Sequence, residues 1–116
     1  MENQKDCIFC KIAKREINSN LLFENDRIVA FNDLNPQAPM HFLVIPKKHI
    51  TGINAVNDSD KALLGEIQIV IRDLAKKYCN NTGYRVLTNC GIEAGQTVIH
   101  LHYHVLGGRD FSWPPG

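Results

Sequence analysis

"HLHYHVLGG", residues 100–108, sets a histidine at every second position with an apolar residue between each pair. Three of the chain's five histidines fall in this one stretch. Successive side chains of a β-strand point to opposite faces, so the spacing predicts a strand over 99–105 with His100, His102 and His104 on one face. Ile99, Leu101, Tyr103 and Val105 line the other face and are expected in the core. On such a strand same-face neighbours lie roughly 6.6 Å apart and the outer pair roughly 13 Å apart. A helix would scatter the three rings around its circumference. Neither proline nor a charge interrupts the run, which argues for an interior strand.

Three readings compete for these imidazoles. The first is a half-buried strand whose polar face happens to be histidine. The second is a metal site, because histidines two apart on a strand can share one Zn²⁺. The ~13 Å between the outer rings argues against all three binding one ion. The third is nucleophilic catalysis, in which one imidazole attacks while another donates a proton or stabilises charge. Strict alternation of three favours the third.

Working outward, "CIFCKIAKREI" carries Ile8, Phe9, Ile12 and Ala13 at the spacing of a short amphipathic helix. "LLFEND" and "RIVAFND" read as two strands joined at Asn25-Asp26. "HFLVIPKKHI" gives a strand stopped by Pro46. Over about 59–79, Leu63, Leu64, Ile67, Val70, Ile71, Leu74 and Tyr78 share one helical face, and residues 80–83 end that helix. "YRVLTNC" is a further strand and "GIEAGQT" a glycine-bearing loop leading into the histidines. Five strands, hairpin-like early links, one long helix and one short helix predict an antiparallel sheet in a single α+β domain spanning 1–116.

Composition narrows the function. A chain of 116 residues is one domain. Thirteen basic against twelve acidic residues leave no general polyanion-binding charge. The one basic cluster, Lys47-Lys48-His49, is more simply a solvated turn than a nucleic-acid patch. No run approaches the length of a membrane span, and no apolar stretch follows "MENQKD" as in a signal peptide. A cytoplasmic protein with neither nucleic-acid nor membrane partners is expected, its four cysteines reduced. In that setting "CIFC" suggests zinc or thiol redox chemistry. No strand precedes it, which is a poor context for a thioredoxin-like motif. Cys79 and Cys90 are more simply small buried hydrophobes.

The stretch "HLHYHVL" matches the histidine triad (HIT) signature, His-φ-His-φ-His-φ-φ, at every position. "NPQAPMHFLVIPKKHI" and the closing "HVLGGRDFSWPPG" resemble the branch of histidine triad nucleotide-binding proteins, over residues 7–116. Members of that branch are homodimeric purine nucleoside phosphoramidases. The resemblance therefore implies the HIT-like fold, a sheet extended across a C₂ homodimer, and cleavage of the P–N bond of nucleoside 5′-phosphoramidates. It implies His102 as the nucleophile that becomes covalently nucleotidylated, His104 as a contact to the phosphate, and His100 as an orienting neighbour. His41 matches a histidine close to the triad.

Further roles follow from the same resemblance. Asn89, Gly95, Gln96 and Thr97 correspond to the phosphate loop, with Thr97 where serine is usual; threonine keeps the hydroxyl and adds a methyl. Asp33 matches the acid that holds the ribose hydroxyls. Ile8, Phe9, Phe31 and Leu34 match the apolar walls around the base. The tail near Trp113 is expected to reach the partner's active site. Some relatives carry a structural zinc on a matching CxxC, the histidine after "PKK" and the first triad histidine; here those are Cys7, Cys10, His49 and His100. No cofactor is needed for the chemical step. The expected ligand is a purine nucleoside phosphoramidate or monophosphate. A dinucleoside polyphosphate hydrolase and a non-catalytic nucleotide- or zinc-binding regulatory module are the rival functions.

Overall fold

Residues 28–31 (Ile-Val-Ala-Phe) and 42–45 (Phe-Leu-Val-Ile) are apolar without alternation because the sheet they belong to is covered on both faces. A computed structural model describes residues 6–79 and 82–116. The sheet comprises β1 (Leu21–Glu24), β2 (Ile28–Asn32), β3 (Met40–Pro46), β4 (Tyr84–Leu87) and β5 (Tyr103–Gly107) in the order β1-β2-β3-β5-β4. Every neighbouring pair is antiparallel. The Oδ1 of Asn25 accepts from the backbone N–H groups of Arg27 and Ile28, each at 2.8 Å, and so closes the β1–β2 turn.

Two helices cover the faces. The long helix α2 (Lys61–Tyr78) buries Leu63, Ile67, Val70, Ile71 and Leu74 against Ile28, Ala30, Phe42, Val44, Leu101, Tyr103 and Val105. Leu64 and Tyr78 pack at the edge of that core. Ile67 is fully buried, and Ile67→Ala is expected to destabilise by about 2–5 kcal/mol. The short helix α1 (Ile8–Ala13) packs Phe9, Cys10, Ile12 and Ala13 on the opposite face, against Val29, Phe31, Leu43 and Ile45. The fold class is therefore the expected five-stranded antiparallel α+β arrangement. The helix stop expected at 80–83 falls partly on residues 80–81, outside the described residues. No helix among the described residues is long and apolar enough to cross a membrane.

The decisive stretch departs from expectation in one respect. The strand begins at Tyr103, so only His104 of the three histidines lies in it. The pairing of β3 with β5 runs from Met40↔Gly107 to Val44↔Tyr103 and then stops. Two residues further along β3 stands Pro46, which has no N–H to extend a ladder. Beyond the ladder the backbone N–H of Leu101 instead donates to the Ile50 carbonyl at 2.6 Å, and that of His100 to Val98 at 2.9 Å. The in-out alternation survives: Leu101, Tyr103 and Val105 enter the core under α2 while His102 and His104 face the other way. Ile99, expected in the core, is only half-buried. The strand read over 84–90 likewise ends at Leu87, where the Thr88 hydroxyl donates to the His102 carbonyl at 2.8 Å.

Candidate active site and metal centre

A cavity of about 580 Å³ opens on the α1 face of the sheet. Ile8 and Phe9 of α1, Phe31 of β2 and Leu43 of β3 form its apolar wall, and Leu34 stands at its mouth, 96 % exposed. Phe9 meets Phe31 edge-on at 5.5 Å between ring centroids, and meets the His102 ring at 5.0 Å. The polar lining comes from Asp33, His41, Asn89, Gly95, Thr97, His102 and His104. Gly95 has φ +87°, a left-handed conformation that a side chain would strain, and it ends the single 3₁₀ turn over 92–94.

Hydrogen bonds decide which nitrogen of each ring carries the proton. His102 Nδ1 lies 2.6 Å from the His100 carbonyl. A carbonyl only accepts, so Nδ1 is the N–H and the lone pair of neutral His102 is on Nε2. At His41 the order is reversed. Its Nδ1 accepts from the Gln37 backbone N–H at 3.0 Å, leaving the proton on Nε2. His41 Nε2 is 2.9 Å from His104 Nδ1 and 3.4 Å from Asp33 Oδ2. Donation from His41 to His104 Nδ1 leaves the His104 proton on Nε2, a donor for the cavity.

All of these rings are neutral near pH 7. Burial pushes the His104 imidazolium down to about 4, helped by the neighbouring His102 and His41 and opposed by Asp33. Burial also lowers His102 and His41, against the pull of the His100 carbonyl on His102 and of Asp33 on both.

Behind the cavity, Cys7 Sγ, Cys10 Sγ, His49 Nδ1 and His100 Nδ1 all lie within 4.8 Å of one another. His100 Nδ1 is 3.3 Å from Cys7 Sγ and 3.4 Å from Cys10 Sγ, and His49 Nδ1 is 3.1 Å from Cys10 Sγ. His100 Nε2 donates to the Pro46 carbonyl at 2.8 Å, which turns the Nδ1 lone pair toward the thiols. Burial holds the His100 imidazolium down to about 4, so the ring is in the neutral form that a metal needs. Two sulfurs and two imidazoles at these separations fit one tetrahedral ion.

Residues 6–112 match the family model described as scavenger mRNA decapping enzyme C-term binding. The chain is 47% identical over 112 residues to an uncharacterized HIT-like protein of Synechocystis, covering 97% of this chain and 98% of the relative. The chain belongs to the histidine triad (HIT) family. A HIT family hydrolase from Legionella pneumophila superposes with a TM-score of 0.92 at 50% identity, covering 95% of this chain and 99% of that one. A histidine triad protein from Clostridium difficile gives a TM-score of 0.89 at 50% identity, covering 97% of each chain.

In this HIT protein the catalytic and substrate-binding residues read from the sequence meet around the cavity, with three exceptions. Gln96 turns away: its Oε1 accepts from Gly91 N–H at 2.9 Å and its Nε2 donates to the carbonyls of Thr51 at 2.7 Å and Val98 at 3.1 Å. Both amide protons are committed, so the side chain clasps the loop instead of reaching a phosphate. His100 faces the thiols and is not a cavity residue. Trp113 is 83 % exposed and lines none of this chain's cavity. The sequence reading missed nine lining residues, among them Ile12, Ile17, Asn18, Ser19, Gln37 and Leu43. Ile12 and Leu43 carried an apolar signal that core packing explained equally well; Asn18 and Ser19 carried none.

Proposed function

We propose that this protein is a hydrolase of the histidine triad nucleotide-binding branch, cleaving the P–N bond of purine nucleoside 5′-phosphoramidates. The observation that carries the reading is the bond from His102 Nδ1 to the His100 carbonyl, which leaves Nε2 as a neutral nucleophile beside the cavity. Nε2 attacks phosphorus and the P–N bond breaks. The hydroxyl of Thr97 passes a proton to the departing amine, which leaves neutral. His104 Nε2–H, with Asn89 and the backbone at Gly95, donates to the nonbridging oxygens as charge builds there. Water then attacks the nucleotidyl-His102, returns a proton to the Thr97 oxygen, and releases the nucleoside monophosphate and the free imidazole.

Ile8, Phe9, Phe31 and Leu34 sandwich the base in this scheme, and Asp33 accepts from the ribose hydroxyls. One Asp33 oxygen already accepts from the Asn35 N–H at 2.8 Å, which fixes the carboxylate and leaves further lone pairs free. The four-ligand centre would hold zinc through Cys7, Cys10, His49 and His100. Zinc with no open position supplies folding free energy and not chemistry. The protein is further proposed to be a cytoplasmic homodimer joined through α2 and the exposed edge of β4, where Tyr84 and Val86 stand outward. Trp113 would then reach the partner's cavity. A monomer by light scattering at micromolar concentration would contradict this assembly.

The family model's decapping description favours a second reading, hydrolysis of a P–O–P linkage with the same nucleophile. Release of AMP from adenosine 5′-phosphoramidate, compared with release from a diadenosine polyphosphate, separates the two. Faster turnover of the phosphoramidate supports the proposal. Turnover of neither substrate, with AMP still bound, would identify a regulatory binding module instead.

A further inference from the structure

The four metal-ligating residues and the cavity residues are interleaved along the chain. Cys7 and Cys10 bracket Ile8 and Phe9, so the residues between the thiols are two of the three that α1 sends to the cavity lining. Helix α1 is six residues long, too short to hold itself in water. Its first turn is capped by the Cys7 sulfur, which accepts from Cys10 N–H at 3.3 Å. Phe9 lies edge-on to both His100, at 6.1 Å, and His102, at 5.0 Å.

The other two ligands repeat the pattern. His100 offers Nδ1 to the thiols, Nε2–H to Pro46 and its own carbonyl to His102 Nδ1. A rotation of this ring and backbone moves the acceptor that sets the nucleophile. His49 leads directly into Ile50 and Thr51, whose carbonyls take Leu101 N–H at 2.6 Å and Gln96 Nε2 at 2.7 Å. Those bonds lie on either side of Thr97.

Resting on the nucleotide reading above, we propose that the metal clamp is the positioning device of the active site. Ligation of Cys7 and Cys10 seats Ile8 and Phe9 as the wall for the base, and ligation of His100 and His49 fixes the backbone that orients His102 and the loop carrying Thr97. A metal placed only to add stability would raise the unfolding temperature and leave the pocket of the folded protein unaltered. A positioning metal also changes ligand affinity and the His102 ring.

The test compares metal-loaded protein with protein stripped by chelator, using AMP as the probe and ¹⁵N-labelled histidine as the reporter. Loaded protein is expected to show His102 as a single Nδ1–H tautomer. Stripped, folded protein is expected to bind AMP at least about tenfold more weakly, in line with the effect of losing a metal's supporting residues, and to show His102 as a tautomer mixture. His49→Cys, which keeps four ligands, should retain AMP affinity where His49→Ala loses it. Affinity within twofold and an unchanged tautomer in the stripped protein would overturn the proposal. Should the stripped protein unfold, Co²⁺-substituted protein replaces it: saturating AMP should tighten Co²⁺ binding, read by chelator competition, by the same factor of about ten, since coupling is reciprocal, and an unchanged Co²⁺ affinity would overturn the idea equally. Loaded protein that fails to bind AMP would count against the nucleotide reading, while the His102 tautomer would still decide the clamp.

Discussion

At His100 the ring nitrogen remote from its cluster donates to the Pro46 carbonyl; at His41 the remote nitrogen accepts from the Gln37 backbone N–H. The first arrangement points a lone pair at Cys7 and Cys10, and the second points a proton at His104 and Asp33. By proximity alone both clusters qualify as metal sites, because Asp33, His41 and His104 also place their ligand atoms within 4.8 Å of one another. A metal on His41 Nε2 would have to displace that proton while Nδ1 stays committed as an acceptor. Single backbone groups outside each cluster thus leave one group of imidazoles with a lone pair suited to a metal and the other with a proton to donate.

The sharpest way to test this division is at His102, the proposed nucleophile, which belongs to neither cluster. His102→Ala is expected to lower phosphoramidate turnover by about 10³-fold or more while AMP binding persists. Mass spectrometry after a neutral quench should find a nucleoside monophosphate on the wild-type peptide containing His102 and none on the variant. Near wild-type turnover in the variant would pass the role to another group.

Breaking the proton-handling cluster comes next in size. His41→Phe removes the donor that fixes the His104 tautomer and should lower kcat by about 10²-fold, the lower range for a positioned acid–base group. KM and metal content should stay close to wild type. A variant that loses metal instead would merge the two clusters and end the comparison.

Breaking the metal cluster should separate differently. Cys7→Ser is expected to reduce bound zinc from about one ion per chain and to lower the unfolding temperature, because a closed site adds to folding free energy. Asp33→Asn should leave both unchanged. Metal analysis with thermal unfolding reads both variants, and equal metal content in wild type and Cys7→Ser would remove zinc from this site.

The smallest effect concerns pH. His104 titrates at about 4 in the folded protein against about 6.5 ordinarily. Between these values the unfolded chain takes up a proton that the folded one refuses, so stability falls as pH drops from about 6.5 towards 4. His104→Asn should flatten that part of the stability profile measured by denaturant unfolding. An unaltered slope would mean that His104 is not held neutral by its surroundings.

Much of this was legible in the chain. The helical stripe from Leu63 to Tyr78 and the five apolar strand runs gave the architecture, because burial imposes a period that survives in sequence. The triad pointed to the HIT family through its alternation, yet the strand proper starts only at Tyr103. Period-2 spacing reports on side-chain direction and not on ladder hydrogen bonds, which Pro46 ends from the partner strand. Gln96 was misplaced for a related reason: an amide in a glycine-bearing loop reads the same whether it donates to a ligand or to Thr51 and Val98. The tautomers of His41 and His102 were invisible, since they depend on backbone groups brought close by folding.

The early end of both ladders of β5 bears on any attempt to make this protein sturdier. In a fully zipped sheet every interior carbonyl is taken by a neighbouring strand, and none remains to steer a side chain of its own strand. The His100 carbonyl is available to His102 because both ladders of β5 have already ended, at Tyr103 towards β3 and at His104 towards β4. Redesign that carried regular pairing backwards along β5 as far as His100, on the β4 side where the His102 carbonyl already meets Thr88, would gain ladder bonds and take away the acceptor that holds the imidazole. Here the imperfect end of the sheet is the part to leave alone.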